Sequence, residues 1–242
     1  MIVRVYSSAL LGVDGIEVEV EVSAFNAEKP AINVVGLPDA AVRESAQRVT
    51  SALATSALSW ADGVKTINLA PADLKKEGPR FDLPIALALA ETAGAECIIE
   101  PERYSMIGEL ALDGMVRPVR GVLSMALEAK RRGRTRLIVP AANAAEAAVV
   151  EGLEVYGVDN LRQAWDFITG QRVLAPYELD RKRLFDTRRH YEVGLEDVRG
   201  QHQVKRALEV AAAGGHNLLM VGPPGTGKSM IAKRLPTILP DL

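Results

Sequence analysis

The sequence predicts a mixed α/β (α+β) protein: a first domain of interleaved strands and helices, followed by the opening strand, glycine-rich loop and helix of a second unit. Three observations carry this. Residues 16–22 read Ile-Glu-Val-Glu-Val-Glu-Val, the period of two expected of a half-buried strand. Val42, Ala46, Val49 and Leu53 recur at helical spacing after a Gly-Leu-Pro-Asp break at 36–39. Further on, the apolar run 217–221 leads into Gly-Pro-Pro-Gly-Thr-Gly-Lys-Ser and then into a helical run with Met230, Ile231 and Leu235.

The elements follow in order. Alternation at 16–22 puts Glu17, Glu19 and Glu21 on one face, read as a solvated strand face rather than a metal site. Pro38 suits the first turn of the next helix, whose polar side holds Arg43, Glu44, Gln47 and Arg48. A strand is expected at 65–69, a loop at 70–81 and a buried apolar helix from Asp82. Asp113-Gly114 suits the tight turn of a hairpin between 106–112 and 115–119. A helix at 121–132 stops at Gly133, and residues 136–170 read strand, helix, strand, helix. The expected organisation is a first domain at 1–170, a charged linker or arm at 171–190, and the start of a second domain at 191–242.

Composition excludes several classes. Lys and Arg total 29 against 31 Asp and Glu, so no global basic field announces nucleic acid, and a polyanion would need local patches. No apolar run is long enough for a signal peptide or a membrane span, so no membrane partner is expected. The one cysteine, Cys97, lies in a helix-like run and is expected to be a buried, inert thiol in a reducing, cytoplasmic setting.

The loop Gly222, Pro223, Pro224, Gly225, Thr226, Gly227, Lys228, Ser229 has the G-x-x-x-x-G-K-S pattern in the strand–loop–helix context it needs. Gly222, Gly225 and Gly227 let backbone amides turn inward around phosphate oxygens. Lys228 supplies a point charge for the β- and γ-phosphates, and the Ser229 hydroxyl is placed to ligate Mg²⁺, so ATP and Mg²⁺ are the expected cofactors. His216, just before the loop, reads as a core or capping histidine.

Residues 195–230, LEDVRGQHQVKRALEVAAAGGHNLLMVGPPGTGKSM, resemble the opening of an AAA+ module of the magnesium-chelatase-like group. That resemblance implies that the D-V-x-G-Q turn lies against adenine, making Val198, Gly200 and Gln201 candidate base contacts. Upstream, INVVGLPDAAVRESAQRVTSAL, INLAPADLKKEGPRFDLPIALALA and IGELALDGMVRPVRGVLSMALEAKRRG resemble the amino-terminal domain of the YifB/ComM family of competence-associated AAA+ ATPases. The resemblance implies a fold like the proteolytic domain of Lon, a hexameric ring, and an ATP-driven motor acting on DNA in branch migration, natural transformation and recombination.

A Lon-like fold raises Ser-Lys proteolysis, which needs a hydroxyl nucleophile and an amine of lowered pKa. Against the Lon pattern the nucleophile position falls on Arg80, or on Asp82 when helix starts are matched, and the lysine position falls on Met125. None supplies the chemistry, so proteolysis is disfavoured. Ser124 and Lys75 are left as ordinary surface residues. Two basic clusters could attract phosphate backbones: Lys130, Arg131, Arg132, Arg134 and Arg136, and, in the arm, Arg181, Lys182, Arg183, Arg188 and Arg189. The first is better read as cations complementing a helix C-terminus, while for the arm both readings stay open. Lys75, Lys76 and Arg80 form another possible contact.

Hydrolysis also needs an acidic pair, a polar sensor and an arginine finger, none of which is found after Ser229. This stretch alone is therefore expected to lack catalysis, and its ATPase portion to dock, stay partly disordered or pair with another chain. Two rival readings are a magnesium-chelatase-like remodelling subunit and a non-enzymatic assembly platform.

Overall fold

The computed structural model describes residues 1–179 and 193–239, which divide into two compact units, Met1–Leu179 and Asp180–Leu242. The arm cations Arg181, Lys182, Arg183, Arg188 and Arg189 lie outside the described residues.

The first unit opens with a hairpin of β1 (Ile2–Leu11) and β2 (Asp14–Phe25), joined through Gly12, whose φ of 62° lies in the left-handed region. In register, Val3 faces Val22, Val5 faces Val20 and Ser7 faces Val18, so the valines share one buried face. Next come β3 (Ala31–Val35), α1 (Ala40–Thr55) and β4 (Val64–Ala70). Strand β4 pairs antiparallel with β2 and parallel with β3, giving the order β1-β2-β4-β3. Asp39 caps α1 by accepting from the Val42 N–H at 2.8 Å. Pro38 therefore precedes the cap instead of occupying the first turn, and bridges the backbone of Lys76.

Helix α2 (Asp82–Glu91) carries no polar stripe, and every residue from 82 to 90 is buried. It packs against α1, β1, β2 and the later helix α5 (Leu161–Ile168). The helix stops at Glu91 because the N–H groups of Thr92, Ala93 and Gly94 bond to carbonyls three residues back and Gly94 takes a φ of 75°. Cys97 lies beyond this stop and is exposed, which corrects the expectation of a buried thiol in a helix.

A second sheet of three parallel strands, in the order β5-β8-β9, is built from β5 (Tyr104–Met106), β8 (Arg136–Pro140) and β9 (Glu154–Val158). The expected hairpin is shorter than its sequence signal, with only β6 (Glu109–Leu110) against β7 (Val116–Arg117). Met106 is already paired with Ile138 of β8, and the ladder restarts only after Gly108, where any Cβ would press on Leu83 and Val116. Helix α3 (Val122–Arg131) lies over β1 and β2, and α4 (Ala144–Ala147) is a single turn. Residues 171–179 lie against this unit: Tyr177 donates its N–H to the Val155 carbonyl at 2.7 Å, and Leu174 packs on the core.

In the second unit, α6 (His202–Gly214) ends at Gly215 with a φ of 63°, and α7 (Lys228–Ala232) follows the glycine loop. Val198, Leu208 and Ile231 form its small core. Leu235 belongs to a separate 3-10 turn, since the following Pro236 disfavours a helical conformation at the residue before it. The run 217–221 is not a strand here, because no neighbour among the described residues supplies a ladder. Leu219 and Val221 are 86% and 87% exposed. His216 is exposed, and its backbone N–H, not its imidazole, bonds the Ala211 carbonyl at the end of α6.

Candidate functional site

Two places hold the candidate residues, one in each unit. In the second, the glycine loop turns through Gly225 and Gly227, both with φ of 82°, a conformation that favours glycine. Thr226 donates its hydroxyl to the Pro223 carbonyl at 3.0 Å, closing the loop on itself. Lys228 opens α7, and its ammonium reaches back into the loop to the carbonyls of Gly222 and Pro223, both at 2.7 Å. The side-chain cation thus rests on the loop's own backbone carbonyls. Ser229 is the second helical residue and its side chain is exposed.

Beside the loop lies a cavity of about 450 Å³, lined by Gln201, Gln203, Val204, Ala207 and the stretch 218–223, together with Thr226, Lys228 and Ile231. Of the three residues assigned to the base, Gln201 lines this cavity. Val198 does not: it is 2% exposed and packs beneath, with Leu208 and Ile231. Gly200 is outside the lining and takes a φ of 66°, with Gln201 also left-handed at 54°, so this pair makes the sharp corner from which α6 starts.

In the first unit, two of the three residues that the Lon resemblance points to, Arg80 and Met125, lie together. The Arg80 guanidinium lies against Met125, Nη1 at 3.8 Å from Sδ. Neither group can attack a carbonyl or accept a proton from one that does. Asp82 is engaged elsewhere. Its carboxylate takes Arg48 in a forked pair, Nε to Oδ2 at 2.7 Å and Nη2 to Oδ1 at 3.0 Å. It also accepts from the Ser45 hydroxyl and, at 3.3 Å, from the Leu110 N–H. Burial pushes this carboxyl up, against the pull of Arg48 and Ser45. The cluster locks α1 to α2. Ser124 donates to the Val13 carbonyl at 2.6 Å and is likewise committed to structure.

Several of the expected basic contacts are paired. Arg131 and Arg132 both reach Glu128, at 2.6 and 2.9 Å. Arg134 pairs with Glu17 at 2.9 Å and lies 3.5 Å over the Tyr6 ring, while Arg136 pairs with Glu154 at 3.2 Å. The strand-face glutamates are consumed in the same way, Glu19 and Glu21 by Arg4. In the loop before α2, Lys75 pairs with Glu77 on the surface, whereas Lys76 is fully buried and donates to the Pro71 carbonyl. Burial pulls the Lys76 amine down.

Sequence reasoning placed Arg48 on a polar helix face and missed that it reaches a buried acid. A lone Asp opening a wholly apolar helix was the available signal, since a buried carboxylate requires a partner.

A mixed α/β domain joined to a glycine-loop unit opening on Lys-Ser defines the class: a P-loop protein with a large amino-terminal domain. The family description "Subunit ChlI of Mg-chelatase" matches residues 18–143 and "Magnesium chelatase, subunit ChlI" matches residues 194–242. The chain belongs to this magnesium-chelatase ChlI family and is a YifB/ComM-like member of it. It is 44% identical to the protein YifB of Salmonella typhimurium over 98% of this chain and 46% of that protein. It is 40% identical to the competence protein ComM of Haemophilus influenzae over 98% of this chain and 47% of that one. The human mitochondrial Lon protease homolog is 33% identical over 38% of this chain and 10% of its own length. The chain spans about half the length of the YifB and ComM relatives it matches. No helix among the described residues is long and apolar enough to cross a membrane.

Proposed function

We propose that the chain is the front part of a ring-forming AAA+ ATPase that binds ATP with Mg²⁺ and acts on DNA, its Lon-like domain having lost proteolytic chemistry. The glycine loop carries this reading. Gly225 and Gly227 hold the backbone in the conformation that turns amides toward a phosphate, and Lys228 already places its ammonium within the loop. Gly222, Pro223, Pro224, Gly225, Thr226 and Gly227 would wrap the phosphates, with Lys228 on the β and γ groups. Gln201 would face the nucleoside side. Ser229 would ligate Mg²⁺, which when bound neutralises charge on the phosphate oxygens. The exposed faces of Leu219 and Val221 support a nucleotide-binding core completed by further chain or by a neighbouring subunit.

Action on DNA rests on the resemblance to the competence-associated family. The decisive assay uses the full-length protein, a synthetic branched DNA and Lys228→Ala as control. ATP-dependent branch movement that Lys228→Ala abolishes is expected; if no DNA stimulates hydrolysis and no branch moves, the DNA reading fails. A titration of this 242-residue chain with fluorescent ATP is expected to show weak binding at most. The family description favours one second reading, a remodelling subunit of chelatase type. Its signature would be hydrolysis stimulated by a partner protein and not by DNA.

A further inference from the structure

Arg234 lies outside the glycine loop, yet it is mostly buried, at 12% side-chain exposure, and uses all three of its nitrogens. Nε donates to the Gly194 carbonyl at 2.8 Å, Nη1 to the Met230 carbonyl at 2.9 Å, and Nη2 reaches the Asp197 carboxylate at 3.2 Å. Asp197 in turn accepts from the Gly194 N–H at 3.0 Å, so the turn Leu195–Asp197 is closed on itself and on Arg234 together. Met230 belongs to α7, two residues after Lys228. The guanidinium therefore ties the turn at 194–197 to the helix that carries the glycine-loop lysine and serine. Chain continuity does the rest. The turn runs through buried Val198 to Gln201, which lines the cavity beside the loop with Lys228 in the same lining.

We propose that Arg234 is a positioning residue of the nucleotide site, holding the nucleoside-side wall that ends in Gln201 at a fixed distance from the phosphate loop. This deepens the ATP-binding reading and rests on it. The planar fork of arginine spreads its donors in fixed directions over two carbonyls and a carboxylate, whereas a lysine presents its three donors from a single nitrogen. Loss of this tie frees the wall but leaves Gly222, Gly225, Gly227 and Lys228 unchanged. Arg234 therefore governs affinity for the nucleoside and not for the triphosphate. A role confined to stabilising the unit would weaken both alike.

The test uses the full-length protein and two probes, a fluorescent ATP and inorganic tripolyphosphate as competitor, both with Mg²⁺. Arg234→Ala is expected to weaken fluorescent ATP about tenfold, one decade in Kd. Tripolyphosphate affinity should stay within a factor of about two. Arg234→Lys should fall between, and Asp197→Asn should shift the nucleotide in the same direction. Lys228→Ala should weaken both probes. Equal losses for both probes, or none, in Arg234→Ala would overturn the proposal. If the alanine variant does not fold, Arg234→Lys and Asp197→Asn decide by the same ratio. Wild-type protein that binds neither probe would instead sink the ATP-binding reading itself.

Discussion

The Arg80 guanidinium rests on the sulfur of Met125, Nη1 to Sδ 3.8 Å, where the Lon resemblance gives the lysine position to Met125 and the nucleophile position to Arg80 or to Asp82. Met125 is fully buried among Val122, Ala126, Ala129 and Leu137. Burial pulls the Arg80 guanidinium down, and the charges of Glu77 and Asp39 oppose this only in part. Met125→Lys would therefore bury a second cation beside the first, and is expected to destabilise by about 3 kcal/mol. Arg80→Ser on that background removes the repulsion and should recover part of the loss. Urea midpoints followed by the fluorescence of Trp60 and Trp165, both in the first unit, measure each step. Wild type is expected to leave a fluorescent casein intact, and casein cleavage abolished by Ser124→Ala would show a working hydroxyl after all.

Arg48 and Asp82 form the tie between α1 and α2, with Asp82 0% and Arg48 21% exposed. Removing one partner leaves an uncompensated charge, whereas replacing both with apolar groups does not. Asp82→Ala is expected to cost about 3 kcal/mol, and Arg48→Met with Asp82→Leu to lie within about 1 kcal/mol of wild type. The same urea titration distinguishes these. A double variant as unstable as Asp82→Ala would show that the pair contributes more than mutual neutralisation.

Most of the first unit was readable from the sequence because its elements carry local signals. Alternation marked β2, helical spacing marked α1, and Asp113-Gly114 marked the β6–β7 turn. Where pairing depends on a partner far along the chain, the local signal misleads. Met106 has the pattern of a hairpin residue but its backbone is claimed by β8, and 217–221 has the pattern of a strand but no neighbour among the described residues pairs with it. In the candidate site, the glycine loop is legible since its geometry is set by its own residues. Gln201 lines the cavity and Val198 packs beneath it, a difference that adjacency in sequence does not reveal. The tie through Arg234 joins positions some 40 residues apart and leaves no periodic trace.

Gly15 shows how closely the hairpin sits on α3. A Cβ at this position would overlap the Ser124 carbonyl oxygen and come 2.8 Å from Cβ of Glu128. Neither neighbour can yield, one being helix backbone and the other a side-chain root. Glu128 is further held because it accepts from the Glu17 N–H at 3.3 Å. Gly15→Ala is expected to destabilise by about 2 kcal/mol, as overpacking of a filled contact does. Gly94→Ala serves as a control, since a Cβ there meets nothing within 4 Å and only the backbone strain of its φ of 75° is added. If the two substitutions cost the same, the close approach of β2 to α3 does not limit the fold.

Lys76 offers a test in which pH supplies the sign. Its side chain is fully buried, and burial lowers its pKa from the ordinary value of 10.5, with Asp73 opposing the shift only in part. The unfolded chain therefore binds this proton more tightly than the folded one. Between the depressed pKa and 10.5 the unfolded state holds more protons, so this residue makes wild-type stability rise with pH through that window. Met fills a similar volume and carries no proton, but it gives up the hydrogen bond to the Pro71 carbonyl. Lost bond and relieved charge oppose each other at neutral pH, so the informative quantity is the difference between Lys76→Met and wild type as pH changes. Relative to wild type, the variant should be most favourable at about pH 7 and lose ground steadily by about pH 10. All other titrating groups are shared and cancel in that difference. Urea midpoints for both proteins at the two pH values give the answer. A difference that stays constant or moves the other way would mean that the folded state does not depress the Lys76 amine.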